Sequence, residues 1–282
     1  VTGSGERLGV LYAAYLSGFV FGPPISGLLT TLGDVRLPFL LLGALVAVSL
    51  GSIARLDVPE APRTAAGVPV ASKRVLRRLA TDRRVVAAIL IIVSFRYSIG
   101  VFEPLWATYL DDLGASTMVI TLSLTGFALP MLIVAKPAGR LSDRYGPRMA
   151  SVLSAAATVP LMGAYGFVSA VPLVCLMAVP HGIFEAVQSP GSQAAVAEAA
   201  PPEDTAAAQG FGEAAGSAAA AIGAFTAAPL FAWLGAGPAW LTAGLVMAGL
   251  LALSSLLDRP VLRAPARVAP VVIEPRDVPL AD

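Results

Sequence analysis

Five ionisable residues sit inside long apolar runs: Arg96, Glu103, His181, Glu185 and Glu213. A charge held at bilayer depth costs at least about 2.5–3.5 kcal/mol, so such residues are functional candidates by default. His181 and Glu185 are four apart, which places both on one face of a helix. An imidazole titrates near pH 6.5, so beside a carboxylate it forms a plausible proton carrier, and Glu185 is the first candidate for protonation. Arg96 and Glu103 are seven apart, on one face and separated by roughly 10 Å, so each is expected to pair with another helix. Glu213 lies among alanines and glycines, either lining an inward-facing vestibule or pairing with Arg96. For each residue, a satisfied polar contact between helices is the alternative role.

Other chemistries find little support. The chain has one His and one Cys, Cys175, which lies in an apolar run and reads as a small packing residue. That leaves no catalytic or metal-binding constellation, and neither a metal nor a cofactor is expected. A net charge of +1, with basic residues scattered in short connections, excludes nucleic acid as a partner.

The surroundings of the five residues are set by composition. Hydrophobic residues make up 56% of the chain and charged residues 13%, with a mean hydropathy of +0.78. Soluble domains carry about 25% charged residues. Eight apolar stretches are long enough to cross a hydrocarbon core of about 30 Å, which takes roughly 20 helical residues. They run over 8–32, 37–54, 85–110, 118–138, 149–168, 171–194, 206–234 and 240–257. They are continuous rather than alternating, which argues against a membrane barrel and leaves an all-α polytopic membrane fold.

Lysine and arginine gather on one side of these spans, as in Arg55, Lys73, Arg84, Arg140 and Arg259, while the opposite connections hold only Arg36. The positive-inside rule then puts both ends of the chain in the cytoplasm of an inner-membrane protein, with Asp34, Asp111 and Asp112 outside. The connection 197–205 departs from the pattern, carrying Glu198, Glu203 and Asp204 without a basic residue. A proline-containing cytoplasmic linker at 57–84 separates two helices in 1–56 from six in 85–257, and its basic amphipathic piece at 72–79 suits anionic headgroups. The stretch 258–282 alternates proline with charge and is expected to be a disordered tail. A shift of 201 residues lays Gly9, Ala13, Ala14 and Gly22 on Gly210, Ala214, Ala215 and Gly223, which fits a six-helix repeat.

Two motifs remain. In the first span, Gly9 and Gly18 precede Gly22-Pro23 and then Ser26-Gly27. Glycines four apart clear one helix face for a close neighbour, and Pro23 permits a bend, so this face is expected to be a close-packed, deformable contact. Between the fourth and fifth spans lies Gly139-Arg140-Leu141-Ser142-Asp143-Arg144-Tyr145-Gly146-Pro147-Arg148. A tight loop needs its glycines for turns, and Asp143 among arginines can exchange partners between helix ends.

The first motif resembles motif C of the drug/proton antiporters of the major facilitator superfamily, with Ser26 in place of one glycine. The second resembles the superfamily's motif A, through Gly139, Leu141, Asp143, Arg144, Gly146 and Arg148, with Pro147 where a basic residue is usual. The resemblance implies a major facilitator fold in which the eight spans are helices five to twelve of twelve, the sequence being truncated at its N-terminus. It implies a monomeric, non-enzymatic transporter that exchanges protons for a small amphiphilic substrate by alternating access. Phe95, Tyr97, Phe102, Trp106, Phe127 and Phe184 are suited to wall a lipophilic substrate cavity, with a lipid-facing or core position as the commoner role for such residues. A sugar or metabolite permease of the same superfamily, or a non-transporting truncated membrane protein, are the alternatives.

Overall fold

The computed structural model describes residues 4–55 and 73–259; at 4–16, 19, 135, 136 and 143 it describes the backbone alone. Every described element is helical. The order is α1 (Ser4–Leu32), α2 (Leu37–Ile53), α3 (Lys73–Thr81), α4 (Arg83–Asp112), α5 (Thr117–Tyr145), α6 (Pro147–Ala164), α7 (Val171–Ala199), α8 (Thr205–Leu234) and α9 (Ala236–Leu257). Short 3₁₀ turns follow α6 at Tyr165–Phe167 and α7 at Pro202–Asp204.

Helix boundaries follow local chemistry. Asp82 caps α4 by accepting from the Arg84 and Val85 amides, at 2.8 and 3.4 Å, and Ser116 caps α5 through the Val119 amide. Glycines with positive φ stand at the sharp reversals: Gly114 after α4, Gly146 between α5 and α6, and Gly235 between α8 and α9.

Each of the eight expected spans coincides with a helix. Among the described residues, six are long and apolar enough to cross a membrane, α4 to α9, while Val20–Leu32 and Leu37–Ile53 are shorter apolar stretches. The basic amphipathic piece is α3, displaced slightly toward the C-terminus of its expected position. Of the expected linker and tail, 56–72 and 260–282 lie outside the described residues.

Helix α4 is the axis of the six-helix body and packs against α5, α6, α7, α8 and α9. Lipid tails are as apolar as leucine, so helices gain from meeting through small residues that let backbones approach. A methyl group on Gly100 of α4 would run into the Ala220 carbonyl of α8, and one on Gly223 of α8 would lie 2.7 Å from the Tyr97 carbonyl. Gly244 of α9 likewise sits on Gly163 of α6, where an added methyl would be 3.0 Å from the Gly163 nitrogen.

Outside this body, α1 packs on α5 and α2 on α1. Helix α3 buries Leu79 among Val85, Ile89 and Val196. Its Arg78 pairs with Asp204, which gives the acidic departure in the 197–205 connection a structural partner.

If the α4–α8 crossing depends on absent side chains, Gly100→Ala overpacks it and should lower stability by roughly 1–3 kcal/mol. Gly210→Ala, where nothing lies within 4 Å, should leave thermal unfolding in detergent unchanged or slightly raised.

Candidate functional site

The buried face of α7 holds the densest polar chemistry. His181 and Glu185 are 0% and 3% exposed, and the imidazole Nε2 lies 3.3 Å from the Glu185 carboxylate. That contact has ion-pair distance without hydrogen-bond alignment. On its other side, His181 Nδ1 is 3.0 Å from the Tyr165 hydroxyl. The α6–α7 connection, turning through Tyr165–Phe167, therefore supplies the third member of the cluster.

Aromatic rings enclose this cluster. Phe102 stacks on Trp106 at 4.7 Å and on Phe127 at 5.1 Å, and it meets the His181 ring edge-on at 5.2 Å. Trp240 and Tyr165 complete the enclosure. Of the roles open to the aromatic residues, Phe95, Tyr97, Phe102, Trp106 and Phe127 take the core one, since all five are buried. Phe184 is half-buried, and its carbonyl accepts from the Ser154 hydroxyl. Rings this large in a helical stripe gain most by stacking on one another.

A second cluster joins α4, α7 and α8. Arg96 lies 2.7 Å from Glu213, whose other oxygen accepts from Gln193, while the Gln209 amide donates to the Gln193 carbonyl at 2.7 Å. Gly216 makes room for the arginine, since a methyl there would sit 2.8 Å from Arg96 Cγ. Glu103 does not join this group; it is exposed and interacts electrostatically with Glu185. Among the described residues, no group of three His, Cys, Asp or Glu could hold a metal ion.

The two motifs are arranged differently from their expected forms. Residues 139–145 are the last turns of α5 rather than a loop, and only Gly146, at φ +87°, makes the turn. Gly139 is helical with open space beside it. Leu141 is exposed, and Arg144 stacks over the Tyr145 ring at 5.3 Å. The Asp143 side chain lies outside the described residues.

Arg148 reaches across to the end of α9. It donates to the Ser254 carbonyl at 3.1 Å, to its hydroxyl at 3.3 Å and to the Asp258 carbonyl, and it lies 3.5 Å from the Asp258 carboxylate. A cation at a helix C-terminus is attracted by the carbonyls exposed there; that of Ser254 also accepts from the Asp258 amide at 3.1 Å. Ser254 extends the tie to α4 by donating to the Ala87 carbonyl at 2.6 Å.

In the glycine motif, Gly9 lies where only the backbone is described, and Gly18 and Gly22 have nothing within 4 Å. The expected close contact at that glycine pair is therefore not formed among the described residues. Instead they line a groove of about 650 Å³ between α1 and α2, and the helix runs unbroken through Pro23. Helix α5 packs on the opposite face, where Gly27 meets Thr121 and the Val20 carbonyl accepts from Thr125 at 2.9 Å. At about 100° per residue, Val20 and Gly27 lie roughly half a turn from Gly18 and Gly22.

Gln188, Ser192, Tyr165 and Gln193 went unnoticed in the sequence. For Gln188 and Ser192 the signal was present, since both continue the 181–185 spacing within one apolar run. Tyr165 and Gln193 have no such spacing, because their partners lie on other elements.

Six spanning-length helices with their polar groups turned toward one another define a multi-pass helical membrane protein. The model of the Major Facilitator Superfamily matches residues 88–277, more than half of the chain, and the chain belongs to that superfamily. A multi-drug resistance efflux pump PmrA homolog of Lactococcus lactis subsp. lactis (strain IL1403) is 25% identical over 147 residues. That match spans 51% of this chain but only 36% of the relative.

Removing the Arg148 guanidinium takes a donor from the Ser254 hydroxyl and from the Asp258 carbonyl, and leaves the Ser254 carbonyl with the Asp258 amide alone. Arg148→Met should therefore cost roughly 1.5–3 kcal/mol, the range for hydrogen bonds to a charged group, measured as lost thermal stability in detergent.

Proposed function

We infer that this chain is part of a secondary active transporter, not an enzyme, which exports small amphiphilic compounds in exchange for protons by alternating access. The observation that carries the proton-coupled reading is the buried pair of His181 and Glu185, with aromatic rings packed around the imidazole. Membership of the superfamily supports transport. The efflux pump relative and the resemblance of Gly18, Gly22, Pro23 and Gly27 to an antiporter motif support export.

Mechanistically, an ionised carboxylate in an apolar enclosure is costly unless a cation or water solvates it, whereas the protonated acid can be sealed away. Proton binding at Glu185 therefore changes which conformations are accessible, and a conformational cycle can use that difference. His181 sits on the Glu185 side chain and shares its second nitrogen with the Tyr165 hydroxyl, so the imidazole is held beside the carboxylate. The Arg96–Glu213 pair, half-open between α4 and α8, is the candidate polar lining of the transport path. By the positive-inside rule, the basic end with α3, Arg148 and Arg259 faces the cytoplasm. The free glycine face of α1, open to the α1–α2 groove, is a surface on which a neighbouring helix can shift during the exchange cycle, and Arg148 steadies the cytoplasmic ends of α6 and α9.

Ethidium efflux from cells producing the full-length protein tests this reading. Wild type should expel the dye until a protonophore stops it, and Glu185→Gln should match cells lacking the protein. Efflux by Glu185→Gln at the wild-type rate would remove the carboxylate from the coupling step. Absence of efflux in both would show that lipophilic cations are the wrong substrate class.

A further inference from the structure

Glu185 sits deep in α7, so a proton it carries needs a route to the basic end of the bundle. The helix face that bears it is polar well beyond the pair already described. Positions 181, 185, 188, 192 and 195 fall within an arc of about 80°, and the first four are His181, Glu185, Gln188 and Ser192, all buried. Helix α6 faces them with Ser151, Ser154 and Thr158, also buried.

Contacts set the register between the two helices. The Ser154 hydroxyl donates to the Phe184 carbonyl. Gly191 leaves the space taken by the Ser151 hydroxyl, and a methyl on it would lie 3.3 Å from the Pro147 carbonyl. Pro147 in turn accepts from Ser151 at 2.8 Å. A polar seam thus runs between two otherwise apolar helices.

Gln188 is its unexplained member. The side chain is 0% exposed, yet neither its amide nitrogen nor its oxygen has a protein partner. Ser142 Oγ, which approaches the same Gly191, is also buried and unpartnered. Buried amides left unbonded are costly, and in folded proteins they are as a rule satisfied by ordered water. One helical turn advances about 5.4 Å, a gap that one water with two hydrogen bonds of about 2.8 Å spans. At its basic end the seam meets a cavity of about 250 Å³ lined by Pro147, Arg148, Ala195, Glu198 and Asp258.

We propose that the α6–α7 seam is the hydrated path by which a proton on Glu185 reaches the cytoplasmic cavity, with Gln188 as the positioning residue that holds its water. The inference rests on the coupling role assigned to Glu185. In the transfer, the Glu185 O–H bond breaks as a new O–H bond forms on the adjacent water, which passes one of its own protons onward. Each water ends neutral, one proton emerges in the cavity, and the carboxylate is left behind. The Gln188 amide does not ionise; its NH₂ donates to one water and its carbonyl accepts from the next. The other titratable groups near Glu185 are His181 on its own helix, Tyr165 after α6 and Glu103 on α4. His181 and Tyr165 lie on the side away from the cavity.

Infrared spectroscopy of the full-length protein in lipid vesicles tests the path, with D₂O as the probe and the carboxylic band removed by Glu185→Gln as the reporter. Gln188→Leu should slow hydrogen–deuterium exchange of that band about tenfold, the factor expected from losing one hydrogen-bonded bridge. Gln188→Asn should restore most of the rate, and Ser192→Val, one turn nearer the cavity, should slow it without touching Gln188. Exchange at the wild-type rate in both Gln188→Leu and Ser192→Val would overturn the path while leaving the role of Glu185 intact. If no band between about pH 5 and 8 depends on Glu185, the carboxylate takes up no proton in the working range, and the coupling role falls together with the path.

Discussion

Hydrocarbon offers no hydrogen bonds, so every polar group that enters it must find a partner within the protein or in buried water. Backbone amides meet this demand by forming helices, but side chains can do so only where helices touch. In this chain the demand gathers the buried polar residues of α4 to α9 into interfaces. Arg96 finds Glu213, His181 finds Glu185 and Tyr165, and Arg148 finds the last carbonyls of α9. Helix α2, whose two polar side chains, Ser49 and Ser52, bond to its own carbonyls, buries none of its residues.

Small residues make those meetings close enough to work. Gly100, Gly216 and Gly223 bring α4 and α8 together, so that Arg96 reaches Glu213 across a crossing with little side-chain bulk. Gly182 does the same for α7 against α5, where it faces the Phe127 carbonyl. That contact presses the Phe127 ring to within 5.3 Å of the His181 ring. Pro180 and Pro190 of α7 have no N–H, so the Leu176 and Ala186 carbonyls lose their usual helical donors.

Much of this was legible before folding. The apolar runs located each spanning helix to within a few residues, because length and hydrophobicity are local properties. The five membrane-depth ionisable residues stood out for the same reason, and one of the two roles open to Glu213, pairing with Arg96, is the one the structure shows. Other features were misread where a local pattern has several three-dimensional outcomes. Glycines at 18 and 22 guarantee a bare helix face but do not say which neighbour lies there, and α5 took the other side. Residues 139–145 contain the glycine and charge of a loop, yet helical hydrogen bonding carries α5 through to Tyr145. For the aromatic residues the structure chose between roles that the spacing left open, and Phe102, Trp106 and Phe127 stack into a core.

The sequence by itself determined that the chain is helical, that it lives in a membrane, and which residues carry charge into it. Those facts depend on composition and on spacings of three to seven residues, which the chain imposes wherever it folds. Only the tertiary structure decided that Tyr165 completes the His181–Glu185 pair, that Gln188 stands buried with no protein partner, and that Arg148 closes the end of α9. Each of these joins residues on different helices or depends on the helices that enclose it. Helices in lipid have few directional forces to choose their neighbours, so the partners follow from packing and from polar satisfaction acting together.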